Sequence, residues 1–400
     1  MPPVDFTIVV ATSVLVGAFL AWSNGSNNAA NLVGTVVGAR VIPLSKALII
    51  ASVFEVVGAV AFGSYVSSTL SYGIVRITVL SDEAVVLGML SVMLSSGLWV
   101  LTSSILKVPV SVIEVVVSCL VGFGLISLGV EGVNWLNLVM IFTSWFSLIP
   151  IATLVSATLF ITIQPFLTNQ KAQAVSSSLT MFILISTTAY MLLYSKVNDV
   201  YALLISIFAG FLTFLTIFHY GRKTLRSKTL ASAEKFLELL ASISIALVSI
   251  SHGASNAGNV AGPLTIIFNY ASTKANAFNL SLLGYLALAF SGFFMSLGIL
   301  TWGKRVVGTI GEELVTLSFS SAFVVQVATS LTVLTFARFG IPVSTTMAIV
   351  GGITGVGLAM KYRTINFKTL TKLLLVWVLT LPSCVLLTAG VYLMLRTLVY

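Results

Sequence analysis

The sequence predicts an all-α, polytopic integral membrane protein with roughly ten to twelve transmembrane helices in two inverted repeats with broken helices. Composition is the first reason: 58% of the 400 residues are hydrophobic, 8% are charged and the mean hydropathy is +1.10. The second is that the apolar residues form unbroken runs of helix length, which excludes a β-barrel of short alternating strands. The third is a pair of similar Gly/Asn-rich segments, one in each half of the chain.

The distribution of basic residues divides the chain. We expect a first membrane half at 1–218, a cytoplasmic basic loop at 219–235 and a second membrane half at 236–400. The net charge of +9 is attributed to cytoplasmic loops and not to nucleic-acid binding, because basic residues mark the inner side of membrane proteins. The basic residues of the loop are Arg222, Lys223, Arg226, Lys228 and Lys235. We therefore expect a multi-pass protein that is embedded in the lipid bilayer of the cell membrane.

The two Gly/Asn-rich segments, 22–35 and 250–263, align with each other. Each lies in an uncharged run longer than the roughly 20 residues that one helix needs to cross the hydrocarbon. We expect the helix to break at the polar cluster, at 23–31 in the first copy, with Asn28 or Asn256 at or near a helix N-cap. The aligned residues are Gly25 with Gly253, Asn28 with Asn256, Asn31 with Asn259, and Gly34 with Gly262.

A second pair of motifs follows in the same order, at 107–124 and 340–357. Pro109-Val-Ser111 matches Pro342-Val-Ser344, and a glycine-containing apolar run follows each. Two motifs that recur in one order indicate an internal duplication. Duplicated halves with helices broken at corresponding positions are typical of secondary transporters, whose substrate site lies near the bilayer midplane.

These residues resemble the inorganic phosphate transporter family, which is marked by a duplicated Gly-Ala-Asn-Asp-x-x-Asn-x-x-Gly segment. The resemblance covers nearly the whole chain and includes both motif pairs, Glu55 before Gly58 and the stretch 377–382. It implies an inverted-repeat fold and import of inorganic phosphate, a tetrahedral oxyanion, by symport with sodium or a proton. It implies no other cofactor.

The resemblance also implies which residues meet the substrate. Asn amides, Ser and Thr hydroxyls and free N–H groups at helix N-termini can bind an oxyanion without a permanent positive charge. Considered alone, one such cluster is equally well explained as polar packing between helices. The substrate-binding residues carried over are Asn28, Asn31, Ser111, Ser255, Asn256, Asn259, Ser344, Thr345 and Thr346.

Departures from the family pattern leave the anion and the coupling ion open. Asn28 and Asn256 replace the usual Asp, Met347 replaces a His, and the first Pro-x-Ser stretch continues to Glu114. An Asn amide can donate to sulfate, which a carboxylate would repel, so a sulfate permease is an alternative to a phosphate symporter. If the family Asp instead ligates sodium, Asn keeps an oxygen near that ion at 28 and 256 but loses the charge.

Candidates for the coupling ion are Asn28, Asn256, Glu55, Glu114 and His252. Glu55 and Glu114 are the carboxylates well inside predicted spans, where acids are functional candidates by default; the alternative is that each lies near a helix end and faces water. His252 aligns with Asn24 and is either a proton carrier or a structural, hydrogen-bonded residue.

An enzyme and a passive channel are the alternative function classes for such a protein. We expect no enzyme, because the two histidines, His219 and His252, form no visible nucleophile–base or metal constellation. A passive anion channel stays open, since duplicated sites alone do not exclude it. The oligomeric state is also open, with a homodimer as one alternative.

Overall fold

A computed structural model describes residues 6–108, 110–168, 170–194, 197–226, 230–275, 280–307, 317–360 and 367–399. Almost all of them are α-helical, and eleven segments are long and apolar enough to cross a membrane. The predicted all-α, polytopic class and the expected number of spans are therefore confirmed.

The helices follow the apolar runs of the sequence. Those of the first half are α1 (Phe6–Gly38), α2 (Leu44–Tyr72), α3 (Asp82–Ile105), α4 (Val112–Leu128), α5 (Trp135–Thr168), α6 (Gln170–Leu193) and α7 (Asp199–Arg226). Those of the second half are α8 (Leu230–Asn256), α9 (Gly258–Ala275), α10 (Leu280–Thr301), α11 (Phe319–Arg338), α12 (Thr345–Ala359) and α13 (Phe367–Val399). Short 3₁₀ turns lie at Ile77–Val79, Gly129–Gly132 and Gly303–Arg305.

The expected break in the first Gly/Asn-rich segment is absent. Helix α1 continues through 23–31 for 33 residues, about 50 Å at 1.5 Å per residue. Its polar side chains add hydrogen bonds to backbone carbonyls of the same helix. The Ser26 hydroxyl donates to the Trp22 carbonyl at 2.6 Å, and the Asn28 amide donates to the Asn24 carbonyl at 3.1 Å. Asn28 is consequently inside a helix and not at an N-cap.

The second segment is interrupted, but only at one residue. Helix α8 ends at Asn256, Ala257 is a turn and α9 begins at Gly258. The Ala257 N–H still donates to the Gly253 carbonyl at 3.0 Å, so helical hydrogen bonding continues into this turn. Asn256 therefore lies at a helix C-terminus, which corrects the expected N-cap.

The described parts of the basic segment 219–235, residues 219–226 and 230–235, are helical and not a loop. Helix α7 continues to Arg226 and α8 begins at Leu230. Lys223 and Arg226 occupy the last turn of α7, where basic side chains interact favourably with the helix dipole. The segment thus extends two membrane helices; Lys228 lies outside the described residues.

The two halves of the sequence interlock in matched pairs of helices. Helix α1 packs on α10 and α2 on α8, while α4 packs on α13 and α5 on α12. The most buried membrane segments are α3, α4, α11 and the α8–α9 pair, whereas α5, α7 and α13 are mostly exposed. Large apolar side chains such as Phe146 and Leu386 face outward, as expected where lipid replaces water.

Candidate functional site

Close glycine contacts join α1 to α10. A Cβ atom on Gly25 would overlap the backbone of Met295, and one on Gly298 would overlap the backbone of Trp22. Two helices can approach this closely only where neither has a side chain, as in small-residue contacts within bilayers. The glycines of the first segment therefore serve helix packing and not a helix break.

The same contact recurs between α2 and α8. A Cβ atom on Gly253 would overlap the backbone of Glu55, and one on Gly58 would overlap the backbone of Ile250. In sequence Gly253 aligns with Gly25, and Gly58 stands in α2 as Gly298 does in α10. The site is thus built on two matched helix pairs, each made of one helix from each half.

Within α1 the asparagines form a chain of hydrogen bonds. The Asn28 amide donates to the Asn24 side-chain oxygen at 2.8 Å, and the Asn31 amide donates to the Asn28 oxygen at 2.6 Å. The Asn31 amide also donates to the Thr346 hydroxyl of α12 at 2.8 Å. The chain of amides therefore ends on a residue of the second half.

The second Gly/Asn segment repeats this arrangement. The Asn259 amide donates to the Asn256 oxygen at 3.1 Å. The Asn256 amide in turn faces the His252 carbonyl at 3.3 Å and the Thr345 hydroxyl at 3.4 Å. Both segments consequently converge on Thr345 and Thr346, the first two residues of α12.

The N-termini of α4 and α12 meet beside this network. Ser111 caps α4 by accepting from the Glu114 N–H at 3.3 Å, and Ser344 caps α12 by accepting from the Met347 N–H at 3.2 Å. The Thr346 hydroxyl donates to the Val110 carbonyl, just before α4, at 3.2 Å. Free N–H groups and the positive ends of two helix dipoles therefore lie at one place. Pro109 of the first motif lies outside the described residues.

Two side chains hold these N-termini, and sequence reasoning missed one of them, Asn27. The Asn27 oxygen accepts from the Val110 N–H at 3.3 Å, and its amide donates to Ser104 at 3.0 Å. In the second half, the Ser255 hydroxyl donates to the Val343 carbonyl at 2.8 Å. Ser255 is one of the residues predicted to meet the substrate, and in this structure its hydroxyl holds the loop before α12. Asn27 is the aligned residue in the first segment, and that alignment was the signal that could have found it.

The network of asparagines is buried from solvent, and two of its side-chain oxygens accept no hydrogen bond from the described residues. Asn28, Asn31, Asn256 and Asn259 are each at most 3% exposed. The side-chain oxygens of Asn31 and Asn259, which are aligned residues, have no hydrogen-bond partner among the described residues. Since buried polar atoms are normally paired, these two oxygens can accept from a bound ligand. The corresponding oxygens of Asn28 and Asn256 already accept from their neighbours.

The two intramembrane carboxylates are both buried. Glu55 is fully buried and lies 2.7 Å from the His252 ring, which is also fully buried. Glu114 is 2% exposed in the first turn of α4. The alternative that either side chain faces water is therefore wrong for both. Glu114 has no contact with the Asn chains among the hydrogen bonds of the described residues.

Fold and site together define a multi-pass helical membrane protein with a buried polar site of neutral donors where its two halves meet. Residues 24–388 match the phosphate transporter family, and the chain belongs to that family of transporters.

Known proteins of similar sequence and structure agree with this membership. A solved structure titled "The sodium-dependent phosphate transporter" aligns with a TM-score of 0.92 and 31% identity, covering 98% of this chain and 99% of that one. "Inorganic phosphate transporter 2-1, chloroplastic" of Arabidopsis thaliana is 28% identical over 92% of this chain and 69% of its own length. A "Putative phosphate permease" of Thermococcus kodakarensis is 28% identical over 95% of this chain and 96% of its own length.

Proposed function

We propose that this protein imports inorganic phosphate across the cell membrane by symport with a cation, sodium or a proton. The observation that carries the proposal is the convergence of both Gly/Asn segments on α12, through Asn31 with Thr346 and Asn256 with Thr345. An internal, inverted duplication accounts for this convergence, because it supplies two equivalent sets of donors to one central site.

The proposed binding site uses neutral donors. The amides and hydroxyls of the site donate to one another in the closed structure, and on binding they would turn to the anion and replace its water together with the N–H groups of the first turns of α4 and α12. They belong to Asn28, Asn31, Asn256, Asn259, Thr345 and Thr346. Ser111, Ser344 and Ser255 position these groups as caps and loop contacts. Such replacement is needed because an unpaired ion inside a protein costs tens of kcal/mol in the Born limit.

A coupled cation follows from the membrane potential. Moving a negative charge into an interior-negative cell costs about 2.3 kcal/mol per elementary charge per 100 mV. A cation that enters with the anion offsets this cost, whereas a passive channel would release phosphate from the cell. Sodium is supported by the sodium dependence for which the similar solved transporter is named. A proton is supported by the buried acids Glu55 and Glu114 with His252.

Phosphate is favoured over sulfate by the unused acceptors. The oxygens of Asn31 and Asn259 can accept a hydrogen bond from the O–H of hydrogen phosphate. Sulfate at neutral pH has no O–H to donate. Sulfate stays the second candidate because Asn28 and Asn256 place neutral amides, which do not repel a fully ionised anion, in the network.

The test is uptake by the purified protein in proteoliposomes, with labelled phosphate or labelled sulfate and an imposed sodium or proton gradient. We expect phosphate to accumulate above its outside concentration only when a cation gradient is present. Equilibration without accumulation would indicate a channel, and accumulation of sulfate alone would overturn the assignment of the anion.

A further inference from the structure

A buried acid–imidazole pair joins α2 and α8 next to the proposed anion site. The Glu55 Oε1 and His252 Nδ1 atoms are 2.7 Å apart, and both side chains are fully buried. Their other polar atoms, Glu55 Oε2 and His252 Nε2, have no hydrogen-bond partner among the described residues. Because buried polar groups are normally paired, these two atoms are available to bind water or a transported ion.

The matched position in the other helix pair is chemically inert. Asn24 aligns with His252, and Met295 stands before Gly298 in α10 as Glu55 stands before Gly58 in α2. The Asn24 amide faces the Met295 sulfur at 3.7 Å. Neither an amide nor a thioether gains or loses a proton near neutral pH. The duplicated architecture therefore holds one titratable pair and one neutral counterpart.

Other charged groups do not approach the pair. Among the described residues, His252 is the ionisable side chain within ion-pair distance of Glu55. The helices packed on α2 and α8 are α1, α7, α9, α10 and α11. Helix α1 has no titratable side chain, and every titratable side chain of α7 is exposed.

The titratable side chains described on the remaining three helices are engaged elsewhere. Tyr285 of α10 is 53% exposed, and Arg338 of α11 lies over the Tyr65 ring at 4.4 Å. Tyr270 of α9 interacts electrostatically with residues other than the pair. On α2 and α8 themselves, Lys46 pairs with Glu238 at 2.9 Å in an exposed contact. No fixed cation therefore neutralises the pair within the described structure.

We propose that the Glu55–His252 pair binds the proton that is transported together with phosphate. With one proton the pair is neutral overall, as carboxylate with imidazolium or as acid with imidazole. Without that proton it carries one uncompensated negative charge in a closed interior, which is strongly disfavoured. The pair can therefore lose its proton only when water or another cation reaches it. The Asn256 amide, which faces the His252 carbonyl, connects the pair to the anion site. This inference rests on the proposed function as a cation symporter.

The test compares Glu55→Gln with wild type in proteoliposomes by two assays. Gln keeps the shape of a protonated Glu, so we expect phosphate–phosphate exchange at equal pH to be retained and accumulation driven by a pH gradient to be lost. The double variant E55M/H252N, which copies the Met295–Asn24 contact, gives the same expectation with a pair already accommodated elsewhere in this fold. Glu238→Gln is the matched control, because this partly exposed glutamate of α8 pairs with Lys46 of α2 and lies outside the Glu55–His252 pair.

Three outcomes would overturn the proton assignment. They are accumulation by Glu55→Gln under a pH gradient at the wild-type level, loss of exchange in a variant whose thermal unfolding matches wild type, and wild-type accumulation that responds to sodium but not to pH. Failure of the proposed function is distinguishable, because wild-type protein would then show neither exchange nor accumulation of phosphate.

Discussion

Thr345 and Thr346 are the residues where the two Gly/Asn segments meet. The aligned residues in the first turn of α4 are Val112 and Ile113, which have no hydroxyl. The donors from the two helix N-termini are consequently unequal, and α12 supplies more of them than α4. The helices around the proposed site are duplicated, but its hydroxyl donors come from α12 and not from α4.

We predict that Thr346→Val weakens phosphate binding. The change keeps the shape and removes the hydroxyl that joins Asn31 to the Val110 carbonyl. A hydrogen bond to a charged group contributes about 1.5–3 kcal/mol, so we expect roughly 10- to 100-fold weaker apparent affinity in an uptake assay. Thr354→Val on the same helix is the control, because its hydroxyl donates only to Val350 of its own helix. Equal affinity for phosphate in the two variants would show that the Thr346 hydroxyl does not contribute to binding.

The sequence could predict candidate residues for the site but not their contacts. Asn28, Asn31, Asn256 and Asn259 were predicted because the segment occurs twice. Their partners across the structure were not found, since Met295 is an ordinary apolar residue until its contact with Asn24 is known. Asn27 and Ser255 differ in chemistry although both hold a helix N-terminus, so likeness of residue type could not reveal their common task.

At the scale of helices, the Gly/Asn segments are packing surfaces. Glycine in a helix costs about 1 kcal/mol relative to alanine, and therefore favours a break on local grounds. Here the backbone of a second helix fills the space beside Gly25 and Gly253. Helix breaking and close helix packing give the same local sequence, so the continuity of α1 could not be predicted without knowledge of its neighbour.

We predict that Gly298→Ala destabilises the protein. The added methyl group would overlap the backbone of Trp22, and such overpacking typically costs about 1–3 kcal/mol. Gly284→Ala on the same helix is the control, because no atom lies within 4 Å of its added Cβ. Thermal unfolding in detergent should show a lower midpoint for Gly298→Ala alone. A midpoint equal to that of the control would mean that α1 and α10 are not in close contact.

At the scale of the whole molecule, helices of the first half pack on helices of the second half. Each of the matched helix pairs contains one helix from each half. Hydropathy predicted the spans and the repeated motifs predicted the duplication. Neither signal could predict the packing between halves, because neither hydropathy nor a repeated motif specifies which helix packs on which. The buried network must open to water during transport, and relative movement of interlocked halves is the general means in transporters with repeats.

The most direct measurement of the central claim is equilibrium binding of labelled phosphate to the purified protein and to the double variant N28A/N256A. Asn198→Ala is the control, because this asparagine is exposed at the start of α7. Since both amide chains lose a member, we predict that the double variant binds phosphate at least ~10-fold more weakly while the control binds like wild type. Equal affinity in all three proteins would contradict the claim that the two Gly/Asn segments together form the anion site.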